Sequence, residues 1–351
     1  MSLLCNRTLP RISRQVETRE ERTSIISYYP ALINYNEPMK QDFLLSLIIP
    51  VYNEESNITP LLNKLLPLLK PYRYEILFVN DGSIDETSKE IQKHTKDKSI
   101  KYIEFNRNFG HQMALSCGYA MANGDAVISM DADLQDPPEV IGEMVEAWQK
   151  GSLIVYAQRA ERDVDSAFKR WSARQFYNFI NSLSDTPIPR DVGDFRLLDR
   201  QVVEYLNELP EQSRFYRGLV AWGGFPSSCI QFRREARFSG KTHYTFSKMA
   251  NFALDGITSF STKPLRMATL VGFWTAVIGF LGIIYALVGR FLHPAFFPQE
   301  WVTGWTGLFV AIMFLGGIQL VTIGIIGEYI GKIYTQVQQR PRYIIKEKIN
   351  V

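Results

Sequence analysis

Two stretches of this chain carry no charged side chain at all, Met267 to Gly289 and Trp301 to Gly327. At about 1.5 Å of rise per residue, each is long enough as a helix to cross about 30 Å of hydrocarbon. Burial in a water-soluble core is the competing reading, disfavoured because globular helices of that length keep a polar face. The rest of the chain must therefore be arranged around two membrane-spanning helices. Lys263 and Arg266 precede the first stretch, Lys332, Arg340, Arg342, Lys346 and Lys348 follow the second, and the connecting segment holds Arg290 and Glu300. These flanks predict that both termini face the cytoplasm.

With 351 residues and 46% apolar content, the chain can build one large α/β domain ahead of the spans. A net charge of +3 is too small to announce a nucleic-acid partner, and no basic stripe interleaved with aromatics runs along the first half. Cys5, Cys117 and Cys229 are odd in number, far apart and without CxxC or Cys/His clustering. That argues against a disulfide framework or a zinc site and for reduced thiols. Residues 1–42 lack the apolar core of a signal peptide and read as an N-terminal arm of mixed charge.

From Leu44 onward, short apolar runs alternate with amphipathic segments of helical length. Leu44 to Val51, Glu75 to Val79, Ile100 to Phe105, Ala126 to Met130 and Leu153 to Tyr156 read as strands. Ser56 to Leu69, Asp85 to Lys96, Gln112 to Ala122 and Pro138 to Lys150 read as helices. A βαβ series of this kind predicts a parallel sheet whose ligands sit at the carboxyl ends of the strands.

The polar motifs fall at those ends. Asp131 and Asp133 follow the run Ala126-Val127-Ile128-Ser129-Met130. Two carboxylates one residue apart offer hard oxygen ligands suited to Mg²⁺ or Mn²⁺, ions that keep positions open for substrate phosphates. A nucleotide diphosphate is the matching guest. The first strand ends in Pro50-Val51-Tyr52-Asn53-Glu54-Glu55 and the second in Val79-Asn80-Asp81-Gly82-Ser83-Ile84-Asp85. A turn alone would explain Asp81-Gly82-Ser83, whereas three strand ends carrying carboxylates in one crevice point to a ligand site. His111 and His243 lack metal-ligand spacing and read as ordinary surface or core histidines.

Together with Arg107-Asn108-Phe109-Gly110 and Asp131-Ala132-Asp133-Leu134-Gln135-Asp136-Pro137, these motifs resemble the glycosyltransferase family 2 enzymes that load sugars onto polyprenyl phosphates. That group includes dolichol-phosphate mannose synthases and bactoprenol glucosyltransferases, and the likeness covers Phe43 to Lys348. The resemblance implies a GT-A fold, Rossmann-like and α/β, followed by interfacial amphipathic helices and two C-terminal transmembrane helices. It implies that Pro50, Tyr52 and Glu54 form part of the nucleotide wall, with Val79 and Asp81 near base and ribose. Asp131, Ala132, Asp133 and Gln135 would surround the diphosphate and a Mg²⁺ or Mn²⁺ held by Asp131, Asp133 and Gln135. Gly193 to Arg200 looks like the glucosyl-transferring subgroup, which favours UDP-glucose as donor.

The implied acceptor is a lipid phosphate, already largely ionised at neutral pH with a second pKa of about 6, so no strong base is needed. A single inverting displacement, governed by positioning and electrostatics, is expected. Arg159 and Arg174 resemble the family's acceptor-phosphate arginines. Arg233 to Tyr244, with Lys241, resembles a basic loop that closes over the donor diphosphate, and Arg217 is a further donor-side candidate. For Asp194 three readings stay open: it polarises the acceptor, orients an arginine, or is a structural carboxylate.

Phe168, Trp171, Phe176, Phe179, Ile180 and Leu183 form one apolar stripe, and Phe246, Met249, Phe252, Ile257 and Phe260 a second, both expected in the bilayer interface. Glycines in the spans favour a homo-oligomer, with a tetramer one candidate size. The expected divisions are an arm (1–42), a catalytic domain (43–235), a basic loop with a juxtamembrane helix (236–264), two spans (265–330) and a cytosolic C-terminal tail (331–351). Competing functions are the same reaction with GDP-mannose, UDP-GlcNAc or an aminoarabinose derivative, and a membrane-anchored sensor that binds nucleotide sugar without turnover. A lipid carrier leaves the strand-end carboxylates unexplained, and a processive polysaccharide synthase would need a QxxRW motif that is missing.

Overall fold

The computed structural model describes residues 42–159, 192–232, 261–296 and 305–351. The N-terminal arm up to residue 41, both amphipathic stripes, Arg174, and the basic loop with Lys241 and His243 lie outside the described residues.

The alternating pattern yields β1 (Leu44–Val51), α1 (Ile58–Leu69), β2 (Arg73–Asn80), α2 (Thr87–Gln92), β3 (Ile100–Phe105), α3 (His111–Met121) and β4 (Ala126–Ser129). A 3₁₀ turn at Pro138–Val140 leads into α4 (Ile141–Gln149) and β5 (Ile154–Arg159). Then come β6 (Val192–Asp199), α5 (Arg200–Glu208), α6 (Tyr216–Trp222), β7 (Ser227–Phe232), the long helices α7 (Lys263–Phe296) and α8 (Trp305–Gln338), and β8 (Ile345–Ile349).

Among the described residues, eight strands join one sheet in the order β7-β5-β6-β4-β1-β2-β3-β8. Strands β1 to β4 are parallel, as expected, and buried almost throughout, which is why they read as continuous apolar runs. Strands beyond those read from the sequence make the sheet mixed: β6 is antiparallel to β4 and β5, and β8 is antiparallel to β3. Both strands carry charged residues that interrupt the apolar run by which a sheet strand is recognised. Leu61, Leu62, Leu65 and Leu69 of α1 and Met144, Val145 and Trp148 of α4 are buried in the hydrophobic core with the sheet. The Trp148 indole donates to Asp199 Oδ2 at 2.7 Å, anchoring the end of β6.

The segment expected to be a cytosolic tail is a correction. Helix α8 continues to Gln338, and the chain then returns to the sheet as β8, with Tyr102 opposite Ile349 and Glu104 opposite Glu347. A charged, alternating sequence suits an edge strand, one face of which meets water. Helices α7 and α8 are each 34 residues long, with side chains such as Phe273, Trp274, Ile312 and Leu320 exposed, and both are long and apolar enough to cross a membrane. The C-terminal end of α8 and the segment after it are tied to the sheet domain. Gln336 accepts from the Gln212 amide and donates to Pro210 O, and Arg342 donates to Leu209 O.

Candidate active site

The first wall of the crevice is built where β1 and β2 end side by side. Pro50 pairs in register with Val79, and the Asp81 amide donates to Val51 O at 2.9 Å. Beyond them the chain turns sharply at Asn53, whose φ of 57° is left-handed. Asn is among the residues that tolerate this, because its side chain bonds locally. Here Asn53 Oδ1 accepts from the Ile84 amide at 2.9 Å, and the Asn53 amide donates to Ser83 Oγ at 3.0 Å. The two loops are thus laced together. The Glu54 amide donates to Thr87 Oγ1 at 2.8 Å, while its carboxylate accepts from Asn57. Tyr52 leaves 44% of its surface open beside them, an aromatic face on which a base can stack.

Asp81 is buried, and its two oxygens accept from the backbone amides of Phe109 at 2.6 Å and Gly110 at 2.8 Å. Burial pushes its carboxyl above the usual range, and those amides oppose the rise. Asp81 therefore fixes the loop that starts α3. The sequence reading missed this duty, and the Phe109-Gly110 step just before α3 was the available signal.

The second wall comes from β4, β6 and the start of α3. Met130 and Ala132 are buried on either side of Asp131, which keeps 39% of its side chain accessible. Asp133 is buried and its Oδ1 accepts from the Gln135 amide at 3.1 Å; Gln135 itself is half-buried. Opposite, Asp194 on β6 is clamped by Arg196 from beneath and Arg217 of α6, the latter at 3.0 Å. Arg196 is 0% exposed and also donates to Gly193 O and Tyr216 O. Asp194 is therefore the shared acceptor of both arginines.

His111 is the principal correction. Its Nε2 lies 3.4 Å from Asp194 Oδ2 and 3.8 Å from Asp131 Oδ1, so it bridges the two carboxylates instead of being an ordinary histidine. Burial lowers its proton affinity, but Asp194 and Asp131 overcome that and hold it above its ordinary value. Arg217 likewise faces Asp194, and Arg159 closes β5, where its backbone pairs with Phe232.

Asp131 is pushed above the usual carboxylate range by burial, with the charges of Asp194 and Asp133 adding and His111 and Arg217 opposing. Carboxylates that repel one another at the rim of a crevice fit a divalent cation, which would relieve that repulsion. Among the described residues no group of three His, Cys, Asp or Glu side chains is arranged to hold a metal.

A family profile described as glycosyl transferase family 2 matches residues 46–206. An uncharacterized glycosyltransferase of Synechocystis is 45% identical over 306 residues, covering 86% of this chain and 95% of that protein. The SfII prophage-derived bactoprenol glucosyl transferase of Shigella flexneri is 43% identical over 309 residues, covering 86% of this chain and 97% of that protein. Another uncharacterized glycosyltransferase, from Bacillus subtilis, is 40% identical and covers 89% of this chain and 96% of its own length. Likeness of that depth, over nearly the whole of each relative, makes this chain a glycosyltransferase of family 2.

Proposed function

We propose that the chain transfers glucose from UDP-glucose to a polyprenyl phosphate at the cytosolic membrane face. The observation that carries this reading is the match to a bactoprenol glucosyl transferase across 97% of that protein, extending well past the residues shared by the family at large. Helices α7 and α8 supply the membrane anchor that such an acceptor requires.

In this reading Tyr52 and the laced loops after β1 and β2 receive the nucleotide, with Pro50, Glu54, Val79 and Asp81 shaping the wall. Asp131 and Asp133, with Gln135 beside them, would hold Mg²⁺ or Mn²⁺, which offsets charge on the departing diphosphate when bound. Ala132 lets the backbone approach the donor closely. Asp194 keeps Arg196 and Arg217 in place, so that Arg217, 29% exposed, offers a fixed positive charge toward the crevice. Arg159 and Arg174 bind the acceptor phosphate, and Lys241 closes over the donor. The phosphate oxygen attacks the anomeric carbon from the face opposite the diphosphate, with inversion and no covalent enzyme intermediate. Both termini lie in the cytoplasm, and the chain self-associates through its glycine-bearing spans.

The test is the purified full chain in lipid nanodiscs with Mg²⁺ or Mn²⁺, undecaprenyl phosphate and a panel of labelled UDP- and GDP-sugars. Glucosylated lipid from UDP-glucose is expected. Lipid product from a different sugar alone would move the assignment to that donor. Donor binding without lipid product from any sugar would overturn the enzymatic reading in favour of a sensor.

A further inference from the structure

Strand β8 lies on the far edge of the sheet, yet a chain of hydrogen bonds links it to the nucleotide loops. Lys346 Nζ meets Glu104 Oε1 at 2.6 Å, the carboxylate being only 8% exposed and the lysine 60% exposed. The Tyr102 hydroxyl lies 2.8 Å from the other oxygen, Oε2, and 2.7 Å from Ser88 Oγ, which itself donates to Oε2 at 3.2 Å, and it accepts from Asn80 Nδ2 at 3.0 Å. Asn80 Oδ1 then accepts from the Ser83 amide at 3.0 Å and from Ser83 Oγ at 2.6 Å. Ser83 Oγ in turn accepts from the Asn53 amide. Tyr102 and Asn80 are fully buried, so water cannot replace a lost link in the middle of the chain.

We infer that Lys346 is a positioning residue for the sugar nucleotide. By keeping the buried Glu104 an acceptor, it fixes Tyr102 and Asn80, and through them the Asn53 and Ser83 loops. This rests on the proposal that those loops receive the nucleotide. Burial alone would favour a protonated Glu104; the Lys346 hydrogen bond and charge help to hold it below the usual carboxylate range. A protonated Glu104 would become a donor and would set the Tyr102 hydroxyl the other way. A second contact follows the same route in aromatic form: Tyr343 stacks on Phe105 at 4.9 Å, and Phe105 meets Phe109 edge-on at 5.8 Å. The Phe109 amide is one of the two held by Asp81.

The experiment measures UDP affinity by calorimetry and steady-state kinetics on the full chain in nanodiscs. Lys346→Met is expected to weaken UDP binding and raise the donor KM about tenfold, leaving kcat and the lipid-phosphate KM within about twofold. Lys346→Arg should restore the donor KM, since it keeps the charge beside Glu104. Tyr102→Phe removes one oxygen from the middle of the chain without emptying the core, and should raise the donor KM even if Lys346→Met does not fold. Unchanged UDP affinity and donor KM in Tyr102→Phe would overturn the inference, as would parallel losses for both substrates in Lys346→Met. A wild-type chain that binds UDP but yields no lipid product would sink the proposed reaction alone, because UDP affinity still reads the positioning role. A chain that neither binds UDP nor turns over any sugar nucleotide would remove both.

Discussion

Arg217 grips Asp194 with two donors, Nε to Oδ1 at 3.3 Å and Nη2 to Oδ2 at 3.0 Å. Although burial alone would push its carboxyl up, the charge of Arg217, the His111 hydrogen bond and Arg196 hold Asp194 well below the usual carboxylate range. The anionic form of Asp194 is thus the favoured one, held between two arginines and His111.

Removing it should be costly for that reason. Asp194→Ala leaves Arg196 buried without its counter-ion, and loss of one partner of a buried pair costs about 3 to 5 kcal/mol. A fall in thermal unfolding temperature together with loss of turnover is expected. Asp194→Asn, which keeps an acceptor of the same shape, should lose less stability. Equal stability of Asp194→Ala and wild type would show that Arg196 finds other support.

A second buried pair lies at the opposite end of the strands. Lys101 Nζ is 2.7 Å from Glu75 Oε2, and these side chains are 13% and 6% exposed. Burial raises the Glu75 pKa, but the Asn123 amide, Lys101 and Ser46 outweigh it and leave it below its ordinary value of 4.5. Unfolded Glu75 therefore binds more protons in the window below 4.5. Its stabilisation is complete above that pH and is lost as pH falls through the lower folded value. Lys101→Met should cost about 3 kcal/mol at neutral pH and flatten the acid limb of the stability curve, measured by thermal unfolding between about pH 3 and 7. An unaltered acid limb would contradict the assignment.

Gly82 and Gly110 make a paired test of backbone. Gly82 has φ +68°, and a Cβ there would lie 2.5 Å from the Arg107 carbonyl carbon and 2.8 Å from the Asn108 nitrogen. Gly110 has φ +100° with open space around it. Gly82→Ala should therefore push the two loops apart, costing about 3 kcal/mol and most donor binding. Gly110→Ala should cost its backbone strain alone, up to about 3 kcal/mol because φ +100° with ψ 150° is essentially glycine-only space, and should keep more of the donor binding. Equal loss of UDP affinity in the two variants, measured by calorimetry, would argue against the close approach at Gly82.

The proposed ion gives a fourth expectation. Chelation should stop turnover, and added Mn²⁺ or Mg²⁺ should restore it. Asp133→Asn should lower turnover at least about a hundredfold while sparing the fold, because one ligand charge is lost with little change of shape. Full activity in Asp133→Asn would remove that residue from the metal site.

Much of this was legible in the sequence because it is written locally. β1 and β3 have the bounds their apolar runs predict, and the carboxylates of Asp81, Asp131 and Asp133 stand at strand ends as their position after those runs requires. What escaped reading depends on partners remote in sequence. The charges in β6 make sense only once Asp194 has met Arg217 and His111, and Asp199 has met Trp148, 51 residues away. His111 reads as an ordinary histidine until β4 and β6 bring two carboxylates to it. β8 has no local signal beyond weak alternation, since Lys346 finds Glu104 across 242 residues of chain.

The return of β8 to the β3 edge also orders the events of biogenesis. That strand emerges from the ribosome only after both long helices, so the edge of β3 stays open until residues 345–349 have been made. An open strand edge is a template for wrong pairing. The sheet is therefore completed last, and the loops after β1 and β2 gain their link to Lys346 only when β8 has docked on β3.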